Sequence, residues 1–299
     1  MADVGRPFRP GTPHHDRHGA DRAHRAVAAA LWAALRTFGR IPGGRVVDEG
    51  DATLVFSETP YASFNNVIAS SISDVDADRR IPELLRAFAP GSLPVTWWAG
   101  PMTGPADLVP RLQRLGLARQ EPEFAMALDV AAGWPAVPLP AGASLEEVER
   151  PDQLQAWIGI MNAAYGWSDA AKASIMRSIY MADLALPPEV RDTHHFLVRV
   201  SGRPAACSSL FVSGGAAFVT NIGTHPEARG RGLGTAATVA TLELARAMGR
   251  ATATLAASVD GRSVYRRLGF VESGVLERYV ATADTIAHLD KPVHRGDRR

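Results

Sequence analysis

Apolar residues along the chain switch between two periods, and the switches mark out the elements. Residues 21–38 carry alanine, valine, leucine and tryptophan at helical spacing, ended by Gly39 and Ile41-Pro42-Gly43-Gly44. From Arg45 the period becomes that of strands, predicted at 45–47, 53–57 and 64–70. A helix follows at 76–89, where Pro82 has to fall in or near the first turn. Next come a short strand at 94–99, a helix at 106–116 and an extended segment at 117–130. Residues 131–142 hold Pro135, Pro138 and Pro140, a density no helix or central strand tolerates, and a linker is expected there.

The same order of elements then returns. A strand at 144–149 leads to a helix opened by Pro151 and closed near Gly166, and a second helix spans 169–185. Strands at 195–200, 205–212 and 216–223 precede a helix at 232–248, a strand at 251–256, a helix at 261–268 and a strand region at 270–281. Arg114-Leu115-Gly116-Leu117 closes one short helix and Arg267-Leu268-Gly269-Phe270 closes its counterpart, which makes the chain a duplicated α/β unit. The expected organisation is a disordered tail at 1–20, a first domain at 21–130, the linker at 131–142, a second domain at 143–284 and a basic tail at 285–299. His14, His15 and His18 belong to the first tail and are read as solvated.

Composition narrows the function. Hydrophobic residues make up 46% of the 299, enough for a core in each half. The formal charge is +1, so no global field draws the chain onto nucleic acid or an anionic membrane. The longest apolar run, 26–35, is about half of the ~20 residues a bilayer requires. Cys207 stands alone, with no zinc-spaced Cys/His cluster, so a reduced, cytoplasmic protein without metal is expected.

The chemistry concentrates in Ile222-Gly223-Thr224-His225-Pro226-Glu227-Ala228-Arg229-Gly230-Arg231-Gly232-Leu233-Gly234-Thr235, which joins a strand to a helix. Glycines at 230, 232 and 234 let backbone N–H groups approach a ligand, and the helix start adds roughly half a positive charge. Such a turn cradles a pyrophosphate, with Arg229 and Arg231 adding full charges. No Gly-Lys-Ser/Thr occurs, the glycine spacing is not that of a dinucleotide fold, and no G-x-S-x-G elbow is present.

Arg229-x-x-Gly232-x-Gly234 after Thr224-His225-Pro226 resembles the acetyl-coenzyme A loop of the GNAT acyltransferase superfamily. Ser258-x-x-Gly261-x-x-x-Tyr265-x-x-Leu268-Gly269-Phe270 is similar to that family's second signature, in the matching order. The resemblance implies an α/β fold of two tandem GNAT-like domains, each a mixed, mostly antiparallel sheet flanked by helices, the first copy degenerate. It implies that acetyl-coenzyme A lies along Ile222, Gly223 and Thr224, with its pyrophosphate on Arg229, Gly230, Arg231, Gly232, Leu233, Gly234 and Thr235. A splay beside the strand at 251–256 is expected to admit the thioester. Ser258 stands where many members have Asn, and Tyr265 where the family has its general acid. The strand 218–223 lacks the Glu some members use as base; water relays, Glu277 or His195 are the alternatives, and none is assigned.

Trp157, Met161 and Tyr165 form a stripe at helical spacing, read as core rather than pocket, and Cys207 is read as a small core residue. In the first half Leu112 takes the place of Tyr265, and Asp74, Asp76 and Asp78 stand where arginines would be needed, so one cofactor site per chain is expected. The implied function is transfer of an acetyl or short acyl group from coenzyme A to a small-molecule or peptide amine by direct attack. A mycothiol-synthase-like enzyme and a non-catalytic acyl-CoA sensor are the alternatives; no nucleic-acid or membrane partner is expected, and a homodimer stays open.

Overall fold

A computed structural model describes residues 17–289, apart from 101, 168, 214 and 215. The chain packs as two compact units, and neither is a single stretch of sequence. One comprises residues 35–122 with 275–289, and the other residues 17–34 with 123–274.

In the unit 35–122/275–289 the sheet order is β1 (Arg45–Asp48), β2 (Thr53–Phe56), β3 (Asn66–Ile68), β4 (Val95–Ala99) and the end of β12 (Val271–Ala281). The β1–β2, β2–β3 and β4–β12 pairs are antiparallel and β3–β4 is parallel; β5 (Ala118–Arg119) also pairs with β12. Helices α2 (Ala77–Arg86), α3 (Leu108–Arg114) and α8 (Ala283–His288) complete it. Its core gathers Trp97, Ile81, Leu85, Phe88, Leu112 and Tyr279, with Phe56 and Phe88 stacked at 4.3 Å. Pro82 sits at the sixth position of α2, not in its first turn. Its ring is only half buried, while Ile81, Leu84 and Leu85 anchor the helix on both sides of the lost N–H.

In the unit 17–34/123–274 the sheet order is β6 (Glu123–Asp129), β11 (Thr252–Ala257), β10 (Ala216–Thr224), β9 (Arg203–Ser213), β8 (Thr193–Val200) and β7 (Ala143–Glu147). Every neighbouring pair is antiparallel except β10–β11. Helices α1 (Arg17–Arg36), α4 (Pro151–Tyr165), α5 (Ala170–Leu184), α6 (Leu233–Ala247) and α7 (Arg262–Arg267) flank it, α1 running two residues past this unit's boundary. Local chemistry sets the helix ends. Gln153 Oε1 accepts from the N–H groups of Glu149 and Arg150 at the start of α4, and Gly166 ends it at φ +66°. Asp169 caps α5 by accepting from the Ala171 and Lys172 N–H groups.

Three boundary expectations change. Residues 131–142 have neither helix nor strand, yet they join β6 to β7 inside one unit, so they are no linker between domains. The linear division 21–130 and 143–284 gives way because β6 pairs with β11 from Phe124 to Asp129, while the end of β12 pairs with β4. Of the two tails, residues 17–20 are helical and α8 extends to His288, capped by Thr282. Residues 1–16, with His14 and His15, and 290–299 lie outside the described residues.

Candidate active site

The cradle forms where β10 hands over to α6. Gly230 and Gly232 have φ of +75° and +76°, a region costly for any side chain, and Gly232 is the N-cap of α6. Gly234 is required for a different reason: a Cβ there would lie 2.8 Å from Thr224 Oγ1. The loop and the strand end are thus in contact, and the first N–H groups of α6 have no intrahelical acceptors. Ile222, Gly223 and Thr224 end β10, Leu233 anchors α6 in the core, and Thr235 lies in its first turn. Arg231 is exposed. Arg229, also exposed, donates to the Ala164 carbonyl at 3.0 Å, so its charge secures the C-terminal end of α4.

The expected splay is present. β10 and β11 pair only at Ala217–Ala253 and Phe218–Thr254, although both strands run on. Between Thr220 and Gly223 the register of β10 with β9 shifts, and Asn221 takes φ +53°. A bulge of this kind leaves backbone groups unpaired on the side facing β11. Gly223 is demanded by the approach of α4, since a Cβ would stand 2.9 Å from Ala164 Cβ and 3.2 Å from Cys207 Sγ.

Tyr265 is 8% exposed, its ring against Gly261 and edge-on to Phe270 at 6.0 Å. Burial pushes its hydroxyl above the usual tyrosine value, so it remains a protonated donor at neutral pH. Ser258 Oγ accepts from the Gly261 N–H at 3.2 Å and thereby shapes the turn into α7.

The stripe on α4 divides. Trp157 and Met161 are buried core, but Tyr165 is 48% exposed and its hydroxyl donates to the Ile222 carbonyl at 3.1 Å. Desolvation raises the Tyr165 hydroxyl above its usual value, with smaller contributions from Tyr265, Cys207, Glu123 and Tyr180. Of these, Tyr180 and Cys207 also hydrogen-bond to Asn221 at the bulge. Glu123 escaped the sequence reading because it lies over ninety residues upstream and reaches this unit only through β6.

The candidate bases fare differently. Glu277 lies in the other unit and pairs with Arg119 at 2.5 Å. His195 is 3% exposed, its ring against Trp157 and Tyr180 and its Nδ1 2.7 Å from Ser209 Oγ. Burial pushes its pKa down to about 3, too low to hold a proton at neutral pH. Asn221 bridges this group to the bulge, donating to Tyr180 Oη at 3.1 Å and to Ser209 Oγ at 3.4 Å. Cys207 is fully buried and burial raises its thiol, which suits a core residue. Among the described residues no group of three or more His, Cys, Asp or Glu is placed to hold a metal ion, and no helix is long and apolar enough to cross a membrane.

His195 gives a pH prediction. The unfolded chain binds its proton near pH 6.5 and the folded chain only near 3, so the unfolded state gains protons first as pH falls. Stability is full above pH 6.5 and is lost below it, by up to ~1.4 kcal/mol per pH unit. Urea unfolding at pH 7.5, 6 and 5 measures this slope, and His195→Gln should flatten it. An unchanged slope would mean the ring is solvated.

Comparison with known proteins identifies the arrangement. Residues 156–270 match the profile of the Acetyltransferase (GNAT) family. Residues 156–270 form a GNAT domain. A GCN5-related N-acetyltransferase from Kribbella flavida superposes with a TM-score of 0.66 at 21% identity, covering 86% of this chain and 95% of that one. A GCN5-related N-acetyltransferase from Sphaerobacter thermophilus gives 0.57 at 14% identity, covering 89% and 93%. A tandem GNAT protein from the clavulanic acid biosynthesis pathway gives 0.54 at 18%, covering 90% and 96%. These likenesses span both units and support the tandem GNAT fold. No curated protein matches the chain in sequence. The chemistry of the GNAT family is acyl transfer from acetyl-CoA, and the matched stretch includes the cradle, the splay and Tyr265.

Proposed function

We propose that the chain is an N-acyltransferase that moves an acetyl or short acyl group from coenzyme A to an amine by direct attack. The observation that supports this reading is the conjunction of cradle and splay, since β10 pairs with β11 only at Ala217 and Phe218 and its end leads directly into the turn that Gly232 closes at the start of α6. The N–H groups of residues 230–235 would receive the pyrophosphate, and the unpaired edge of Ile222–Thr224 would pair with the pantetheine amides as an added strand does. To do so, the ligand has to displace the Tyr165 hydroxyl from the Ile222 carbonyl or accommodate beside it. The thioester supplies the activated acyl carbon, and an unpaired N–H at the bulge would polarise its oxygen. Tyr265 would protonate the departing thiolate. A small-molecule or peptide amine is the acceptor class, and neither a nucleic acid nor a membrane partner enters this reading.

Asn221 at the bulge, where a carboxylate would serve as base, favours a second reading: an acyl-CoA-binding sensor without turnover. A screen of amines for thiol release from acetyl-CoA separates the two. Release with at least one amine supports the enzyme, and tight binding without release supports the sensor.

Stoichiometry tests the degeneracy of the first copy. Leu112 is fully buried where Tyr265 stands in the repeat, and α2 is preceded by Ser73-Asp74-Val75-Asp76 rather than glycines. Titration calorimetry should give one coenzyme A per chain. Two equivalent sites would refute the assignment.

A further inference from the structure

The two faces of β8 carry different chemistry. His195 points to the α4 side, where it meets Trp157. Side chains alternate along a strand, so His194, Phe196 and Val198 face the opposite side, where Val198 packs with Leu233 and Ala237 of α6. On this opposite side lies a cavity of 460 Å³, inside the roughly 300–1,000 Å³ typical of small-molecule sites.

The cavity is walled on three sides. Ala236, Val239, Ala240 and Leu244 of α6 form one wall, and Leu145 and Phe196 form the floor. Val137 and Leu139 of the proline-rich segment form the third. That segment is anchored beside the helix by Trp134, whose ring lies under the Arg246 guanidinium at 4.8 Å. Alanines on the α6 side keep the space open. Leu139 and Leu145 are each 41% exposed, so apolar surface is left uncovered around one spot.

Two carboxylates stand in this apolar setting, Glu147 and Glu243. Glu243 is paired with Arg246 on its own helix. Glu147 comes from β7 and is oriented by His194, whose Nδ1 lies 2.8 Å from its Oε1. An apolar chamber with an oriented carboxylate suits an apolar body carrying a single positive charge.

We propose that this cavity is a second ligand site, distinct from the acyl-transfer cleft, which takes a small amphipathic cation. Glu147 meets the cationic group and the α6 wall covers the tail. Because Gly232 caps the start of α6, such a ligand would bind against the same helix that opens the pyrophosphate cradle.

The probe is hexyltrimethylammonium, whose quaternary nitrogen has no proton to lose and is no acyl acceptor. Calorimetric titration should show saturable 1:1 binding, whether or not the protein turns over acetyl-CoA. Glu147→Gln, which keeps an acceptor for His194, should weaken it at least fivefold. Val239→Trp and, at the exposed rim, Ala247→Trp should each abolish it, with unfolding midpoints confirming that at least one variant folds. Absence of saturable binding, or undiminished binding to a folded Trp variant, would overturn the site. Equal affinity for 1-hexanol would overturn its cationic class. A dimer in light scattering that Ala247→Trp dissolves would overturn it in favour of a second copy of the chain.

Discussion

Tyr265→Phe should lower turnover with an amine acceptor by roughly one to three orders of magnitude, the range for loss of a general acid. Coenzyme A affinity should stay within about twofold, and the thermal midpoint should hold. The reason is that the ring, not the hydroxyl, makes the visible contacts: it packs beside Gly261 and meets Phe270 edge-on. What disappears is a proton donor whose pKa burial has raised, so it is fully protonated when a thiolate with a reference pKa near 8.5 has to leave. Steady-state rates and equilibrium binding, measured on the same preparations, separate the two effects. Unchanged turnover would reduce Tyr265 to a packing residue.

Gly232→Val should cost coenzyme A at least about tenfold in affinity, or ~1.4 kcal/mol. At φ +76° a β-branched residue is strained by roughly 1–2 kcal/mol, and relief requires rotating the turn away from the geometry that presents the loop N–H groups. Gly234→Val should act as strongly through a different contact, because its Cβ would press on Thr224 Oγ1 and push α6 from the end of β10. Arg231→Ala removes one exposed charge and should cost only a few-fold, since backbone groups fix the position. If calorimetry showed Gly232→Val binding as tightly as the parent, the cradle would lie elsewhere.

The cradle was legible because it is local. A strand end, three glycines and an apolar helix lie within thirty residues, and each constrains φ or close approach at its own position. The internal repeat was legible for the same reason. Leu117 N–H bonds to Leu112 C=O and Phe270 N–H to Tyr265 C=O, each at 3.0 Å, around Gly116 and Gly269 at φ +84° and +96°. Arg-Leu-Gly followed by an apolar residue therefore marked one helix-ending geometry used twice. Pro82 lies beyond the first turn of α2 because a single turn's preference yields to anchoring by neighbouring apolar residues.

Amino-acid order by itself determined the two-period pattern, the glycine turn with its φ demands and the placement of Tyr265 seven residues after Ser258, since each depends on backbone sterics over a few residues. Tertiary structure alone decided which half each strand serves: β6 joins the sheet of the later sequence and the end of β12 that of the earlier, because strand pairing is satisfied by any edge of correct register, whatever its distance along the chain. It also decided that Tyr165 leaves the core stripe for the Ile222 carbonyl and that Arg229 holds α4. Those outcomes rest on contacts between residues tens of positions apart, which no local period encodes.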